Sequence, residues 1–148
     1  MCLKYNNIFL SIIGRGKLSN QLKDLSILNK NIDYIGFVNR DKLVKILLQT
    51  DVVISYPSVD NQPMSILEGI ATNNLIVTSD VGGVRDLIPN EDYGVLVESE
   101  NSKNLELKLN KIIQSPEDFK NIAENAKSIL KEHTVDNFFK TLKYYYNN

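Results

Sequence analysis

A chain of 148 residues, 43% of them apolar, is long enough to enclose a core, and its 17 basic and 18 acidic side chains leave a formal net charge of -1. That balance gives no long-range field to gather a polyanion, which argues against nucleic acid as the main partner and requires any anion to be held locally. One cysteine, Cys2, and one histidine, His133, supply neither an internal disulfide nor a metal-ligand cluster. The apolar runs fall far short of the roughly 20 residues of a membrane-spanning helix, and the opening "MCLKYNN" lacks a signal-peptide core, so a reducing cytoplasm is the expected compartment.

Residues 8–13, "IFLSII", form a nearly continuous apolar run ending in "GRG", which predicts a parallel strand covered on both faces and then a tight turn. In "KLSNQLKDLSILNK", Leu18, Leu22, Leu25 and Leu28 recur at helical spacing and predict one apolar face. "IDYIGFV" (32–38) returns as a strand stopped at Gly36, and "RDKLVKILLQT" as a helix with Leu43, Ile46 and Leu47 inward. "DVVISYPS" (51–58) is a strand closed by Pro57, and "PMSILEGIA" (63–71) a helix with Pro63 at its first position. "LIVTS" and "GVLV" (94–97) are further strands separated by a short helical "VRDLI". "SKNLELKLNKII", "PEDFKNIAENAKSILKEH" and "TVDNFFKTLKYYY" read as three closing helices.

Strands alternating with helices over residues 8–97 imply an α/β fold, a Rossmann-like parallel sheet with helices on both faces, because parallel neighbours need crossover connections. Ligands bind such sheets beyond the carboxyl ends of the strands, which directs attention to the loops at 14–17, 36–40, 56–63 and 78–84.

A helix opening at Pro63 leaves its first amides without intrahelical partners, and the macrodipole adds about half a positive charge there. Pro63 has no N–H, so the donors of this anion seat are the amides of Met64 and Ser65, with Ile66 a third candidate. Ile66, Leu67 and Ile70 supply the buried stripe. Glu68 lies one turn below Met64, from where its carboxylate can rise toward the seat, and Asp60 stands in the preceding loop across from it. A phosphate carrying hydroxyl-bearing sugars fits: amides take phosphate oxygens and carboxylates accept from vicinal hydroxyls. Dipole preference alone would also place acids here, and Gly82 and Gly83 read first as a tight strand-to-helix turn, so spacing by itself leaves both readings open.

The ordered set is more specific. "DVVISYPSVDNQPMSILEGIATNNLIVTSDVGGVRDLI" followed by "YGVLVES" resembles the C-terminal, nucleotide-binding half of the GT-B glycosyltransferases, in particular the retaining family 4. There an acid, seven residues and a glutamate precede a strand, a "D-V-G-G" turn and a "G-L-L-V" strand. "LSIIGRGKLSNQL" and "IDYIGFVNRDKLVKIL" resemble the two strand-helix units upstream, so the resemblance runs from residue 5 to about 131.

The resemblance implies that Glu68 binds the ribose hydroxyls of a UDP- or GDP-sugar donor. It implies that Asp60, one methylene shorter than the family's usual glutamate, occupies the catalytic position near the transferred sugar. The amides of Met64 and Ser65, with Gln62 close by, would hold sugar and diphosphate. Gly36, Phe37 and Val38 match the turn that cradles the base, and Gly14 would line the same pocket; Phe37 reads equally as a core aromatic at a strand end. Arg15 and Lys17 read as solvated loop charges, with contact to phosphate as the other reading.

The family's half-domain opens with one more strand and a loop "G-R-L-x-x-E-K-G" whose Arg and Lys clamp the diphosphate. "GRGKL" sets Arg15 and Lys17 too close together to match it. "MCLKYNN" looks like the tail of the helix after that first strand, and loss of a central strand predicts uncovered apolar edges. The implied organisation is a donor-binding domain over 1–131, truncated at its N-terminus, and a C-terminal helix over 132–148. Phe138, Phe139, Tyr144, Tyr145 and Tyr146 on that helix either cross to an absent acceptor-binding half or pack on this domain.

The expected function is a glycosyltransferase fragment of glycan biosynthesis. It would bind a nucleoside diphosphate sugar for retaining hexosyl transfer without metal or cofactor, and be inactive alone. Acceptor recognition and any peripheral membrane association fall to the absent half or a partner chain. Other readings are a non-catalytic nucleotide-sugar-binding subunit completing a partner, and a related enzyme such as a sugar-nucleotide epimerase. A receiver-like module needs an acidic cluster after its first strand, which Gly14 to Lys17 does not supply.

Overall fold

The computed structural model describes Tyr5 and residues 7–146. The side chains of Phe138, Thr141, Leu142, Tyr145 and Tyr146 lie outside the described residues, as does most of the "MCLKYNN" segment read above as a helix tail. The chain divides into two compact units, residues 1–45 and 46–148.

The first unit holds β1 (Leu10–Ile13), α1 (Ser19–Leu28) and β2 (Ile32–Gly36), followed by most of α2 (Arg40–Leu47). β1 and β2 pair in parallel, Leu10 opposite Ile32 and Ile12 opposite Tyr34, with a register shift that sets Ile13 opposite Gly36. α1 is the crossover that parallel pairing demands. Its predicted apolar face is only partly used: Leu22 is half-buried, whereas Leu18, Leu25 and Leu28 are exposed. Two strands about 5 Å apart offer less surface than a helix about 10 Å across can cover.

The second unit holds β3 (Val52–Ser55), α3 (Met64–Ala71), β4 (Leu75–Ser79), α4 (Val84–Leu87), β5 (Val95–Val97), α5 (Ser102–Gln114), α6 (Lys120–Ala126) and α7 (Val135–Tyr146). Its strands pair in parallel in the order β3-β4-β5, Ile54 opposite Val77 and Val77 opposite Val95. Parallel pairing is thus observed throughout, divided among the described residues between a two-stranded and a three-stranded sheet.

Alternation sorts the three-stranded sheet into two covered faces. Ile76 and Leu96 pack with Ile66 and Ile70 of α3, Val84 and Leu87 of α4, and Ala126 and Ile129. Leu75, Val77, Val95 and Val97 pack with Ile112 of α5 and with the partly buried Leu105, Leu109, Phe119 and Ile122. Each such side chain, fully buried, contributes about 1.5–3 kcal/mol. Every buried apolar residue among those described lies in this unit. The run from Pro116 to Lys131, expected as part of one helix, is α6 flanked by 3-10 turns at Pro116–Phe119 and Lys127–Lys131. The breaks let Phe119 and Ile122 serve one sheet face while Ala126 and Ile129 serve the other.

The α3–β4 junction is pinned by a side chain that pattern reading passed over. Asn74, 1% exposed, donates to the carbonyls of Leu47 (3.0 Å) and Thr50 and accepts from the Thr72 hydroxyl (2.7 Å). No helix among the described residues is long and apolar enough to cross a membrane.

Candidate functional site

β3 ends at Ser55, and the chain crosses the carboxyl edge of the sheet through loop 56–63 before α3 begins. The N-terminus of α3 therefore stands at the strand tips. Ser65 Oγ donates to Ser55 Oγ at 3.2 Å and ties helix start to strand end. Gly69 brings the helix down on the sheet: a Cβ there would fall 2.6 Å from Ile76 Cδ1 and 3.2 Å from Val53 Cβ. Ile66 and Ile70 are fully buried and Leu67 half-buried, as the stripe predicted.

Pro63 is the N-cap of α3, at φ -67° and ψ 117°, and not its first helical residue. A proline's fixed φ suits either position; the extended ψ decides. Its carbonyl accepts the Ile66 N–H at 3.0 Å. This corrects the donor set: Ile66 is engaged, while the amides of Met64 and Ser65, both exposed residues, have no partner among the described residues. Glu68 is half-buried one turn below, and its carboxylate has no hydrogen-bond or ion-pair partner among the described residues.

Asp60 is half-buried and accepts the Gln62 N–H on Oδ1 at 3.1 Å, folding the loop back on itself while leaving Oδ2 open. Gln62 is exposed. Below this loop lie residues to which spacing gave no functional role. The Ser79 hydroxyl donates to the Pro57 carbonyl. The carboxylate of Asp80 is forked by Arg85, Nε to Oδ1 at 2.7 Å and Nη2 to Oδ2 at 2.5 Å, while Nη1 donates to the Pro89 carbonyl at 3.1 Å. The hydrogen bond from Arg85, with its charge, holds the Asp80 carboxyl below the ordinary aspartate range against a small opposing effect of burial. Gly82 and Gly83 follow, close against the backbone of Asp60 and Asn61. A polar pocket of about 650 Å³ opens at the ends of β4 and β5, and its cations are engaged: Arg85 with Asp80, Lys108 with Glu91.

In the first unit the β1–α1 loop meets the end of β2. The Gly14 N–H donates to the Gly36 carbonyl at 2.9 Å, and the Tyr34 hydroxyl donates to the Gly14 carbonyl at 2.9 Å. The Arg15 guanidinium lies 4.7 Å from the centroid of the Phe37 ring, a cation–π distance. Phe37 is 67% exposed, which overturns its reading as a core aromatic. Val38 is half-buried. Gly14, Arg15, Gly36 and Phe37 are thus brought together at one pair of strand ends, and Asp60, Gln62, Met64, Ser65 and Glu68 at the start of α3.

The chain is similar to known proteins over nearly its whole length. It is 31% identical over 144 residues to an uncharacterized glycosyltransferase of Methanocaldococcus jannaschii, a match covering 93% of this chain and 36% of that protein. Among solved structures, the C-terminal domain of a glycosyl transferase group 1 family protein from Francisella tularensis superposes with a TM-score of 0.76 at 21% identity, covering 90% of this chain and 73% of that one. The Anabaena protein Alr3699/HepE in complex with UDP-glucose superposes with a TM-score of 0.73 at 19% identity, covering 84% of this chain and 36% of that one. The chain spans about a third of the length of the curated relatives it matches, 36% and 35% in two of them. The family profile described as glycosyl transferases group 1 matches residues 2–129, and the chain belongs to that family.

Proposed function

We propose that this chain is the nucleotide-sugar-binding part of a family 4 GT-B glycosyltransferase, corresponding to the C-terminal half of the complete enzymes. The observation that carries the reading is the opening of α3 at the carboxyl edge of the sheet. Two unpartnered amides, Met64 and Ser65, stand at the positive end of a helix with the unpaired carboxylate of Glu68 one turn below. The relative solved with UDP-glucose, which shares the fold, supports a ligand of this class.

In this reading the diphosphate of a UDP- or GDP-sugar accepts hydrogen bonds from Met64 and Ser65, and Gln62 borders the sugar. Glu68 accepts from the ribose hydroxyls. Asp60 keeps one oxygen on Gln62 and turns the other toward the sugar, where positive charge develops as the bond from the anomeric carbon to the diphosphate breaks. The departing diphosphate gains negative charge, and preorganised amides stabilise it most where water is excluded. The first unit, taken by itself, carries an exposed pair, Phe37 and Arg15, bordered by Gly14, Gly36 and Val38, whose flat face is of a kind that stacks on a planar ring. Transfer retains configuration, takes no metal or cofactor and serves glycan assembly in the cytoplasm. Acceptor recognition belongs to polypeptide outside this chain, which alone binds donor weakly and transfers nothing.

Calorimetric titration of the 148-residue chain with UDP, GDP, UDP-glucose and UMP tests this reading. Saturable binding is expected for one of the diphosphates, with UMP weaker than UDP because the anion seat grips the diphosphate. Absence of binding by every diphosphate overturns the assignment.

A further inference from the structure

We propose that the Gly82–Gly83 turn is a positioning element: it is the seat on which loop 57–62 rests, and it sets where Asp60 and the amides of Met64 and Ser65 stand. The inference rests on the reading of that loop and helix start as the donor site. Three contacts place turn and loop together. The Ser79 hydroxyl donates to the Pro57 carbonyl at the start of the loop. A Cβ on Gly82 would fall 2.0 Å from the Asp60 carbonyl oxygen, and one on Gly83 would fall 1.9 Å from that of Asn61. An ordinary carbon–oxygen approach is about 3.3–3.6 Å, so a side chain at 83 displaces the loop by about 1.4 Å or more.

The two glycines are required for different reasons. Gly82 has φ +50°, the left-handed region that only glycine enters without strain. Gly83 has φ -84°, which any residue adopts. Nothing in the turn's own conformation calls for the second glycine; the loop lying on it does. The seat has little room to retreat, because Ser79 before it and Val84 after it are fully buried. A displacement is therefore passed to the loop, and through the Asp60–Gln62 hydrogen bond to the first amides of α3. Misplacing reacting groups by about 1 Å costs on the order of a hundredfold in rate where geometry is critical, and a displaced amide loses its hydrogen bond to a bound anion.

The test is Gly83→Ala in the full chain, compared with Ile112→Val, which trims the opposite sheet face by one methylene and perturbs stability away from the Gly82–Gly83 turn. UDP binding is measured calorimetrically, and the amide resonances of Gln62, Met64 and Ser65 are followed by NMR. Gly83→Ala is expected to shift those amides and weaken UDP by about tenfold, the effect of losing one hydrogen bond to a charged group, while Ile112→Val leaves both unchanged. Ser79→Ala, which adds no bulk and removes only the hydroxyl holding Pro57, is expected to shift the same amides. It carries the test if Gly83→Ala does not fold. Unmoved amides in Ser79→Ala, or UDP affinity equal in parent and Gly83→Ala, overturn the positioning role alone; so does an equal loss in Ile112→Val. A parent chain that binds no UDP overturns the donor-site reading itself.

Discussion

Glu68→Ala isolates the ribose-binding role assigned to that side chain. The carboxylate has no partner among the described residues, so its removal breaks nothing inside the fold, and stability is expected to stay within about 0.5 kcal/mol of the parent. Two opposing effects act on the ligand. Hydrogen bonds from ribose hydroxyls to a charged acceptor contribute about 1.5–3 kcal/mol, and the partial exposure of Glu68 selects the lower end. The same carboxylate repels the diphosphate: two unit charges about 7 Å apart in water repel by about 0.6 kcal/mol. The hydrogen bonds win by about 0.9 kcal/mol, and the variant should bind UDP roughly fivefold more weakly. Salt screens the repulsion more than the short hydrogen bonds, so the deficit should widen as ionic strength rises. With 2′,3′-dideoxy-UDP only the repulsion remains, and the order should reverse, the variant binding slightly more tightly at low salt. Calorimetric titrations of both proteins with both nucleotides give the four affinities. An equal deficit with the two nucleotides would refute the reasoning, and so would a drop of several degrees in Tm, because either result makes Glu68 a structural side chain.

Three further outcomes follow from contacts away from the ligand. Asn74→Ala strips the Thr50 carbonyl of its partner and leaves the Leu47 carbonyl with the Thr50 N–H and the Thr72 hydroxyl with the Glu68 and Gly69 carbonyls, so it should cost about 1–3 kcal/mol in urea unfolding; a loss below about 0.5 kcal/mol would show that the Thr50 carbonyl finds another partner. Asp80 has a carboxyl pKa depressed by Arg85 in the folded state, so the pair contributes stability present above the ordinary value of 3.8 and lost as pH falls through the depressed one. The pair is largely exposed and its contribution small, but Arg85→Gln should flatten the acid limb of the stability curve below about pH 4, and superimposable limbs would contradict this. Ile27 and Leu28, each 80% exposed on α1, should accept simultaneous replacement by lysine with unchanged Tm and less light scattering at high concentration; a marked fall in Tm would place them in a packed face.

What the sequence revealed tracks how local the deciding interaction is. "LIVTS" announced β4 because a strand buried on both faces must be apolar at consecutive positions, and all five of its residues are buried. The stripe Ile66, Leu67 and Ile70 marks the inner face of α3 because helical spacing sets those positions on one side. The leucines of α1 misled because helical spacing reports which side is apolar, and says nothing of whether a surface exists to receive it. Pro63 reads from sequence as the first helical residue and not the cap because its carbonyl's bond to Ile66 N–H is a matter of ψ, on which composition is silent. Phe37 could not be resolved between core and surface, since Arg15, which lies over its ring, is distant in sequence. The glycine pair is the instructive case. Gly82 explains itself through its φ, so a reader of the sequence stops at "turn" and lets the neighbour share the explanation. Gly83 has an ordinary φ, and its reason is a carbonyl on Asn61, which belongs to a different loop. A glycine whose own backbone does not need it marks a place where another stretch of chain comes within touching distance. Here that stretch is the loop carrying Asp60, so the close approach, more than the turn, is what ties this pair to the proposed donor site.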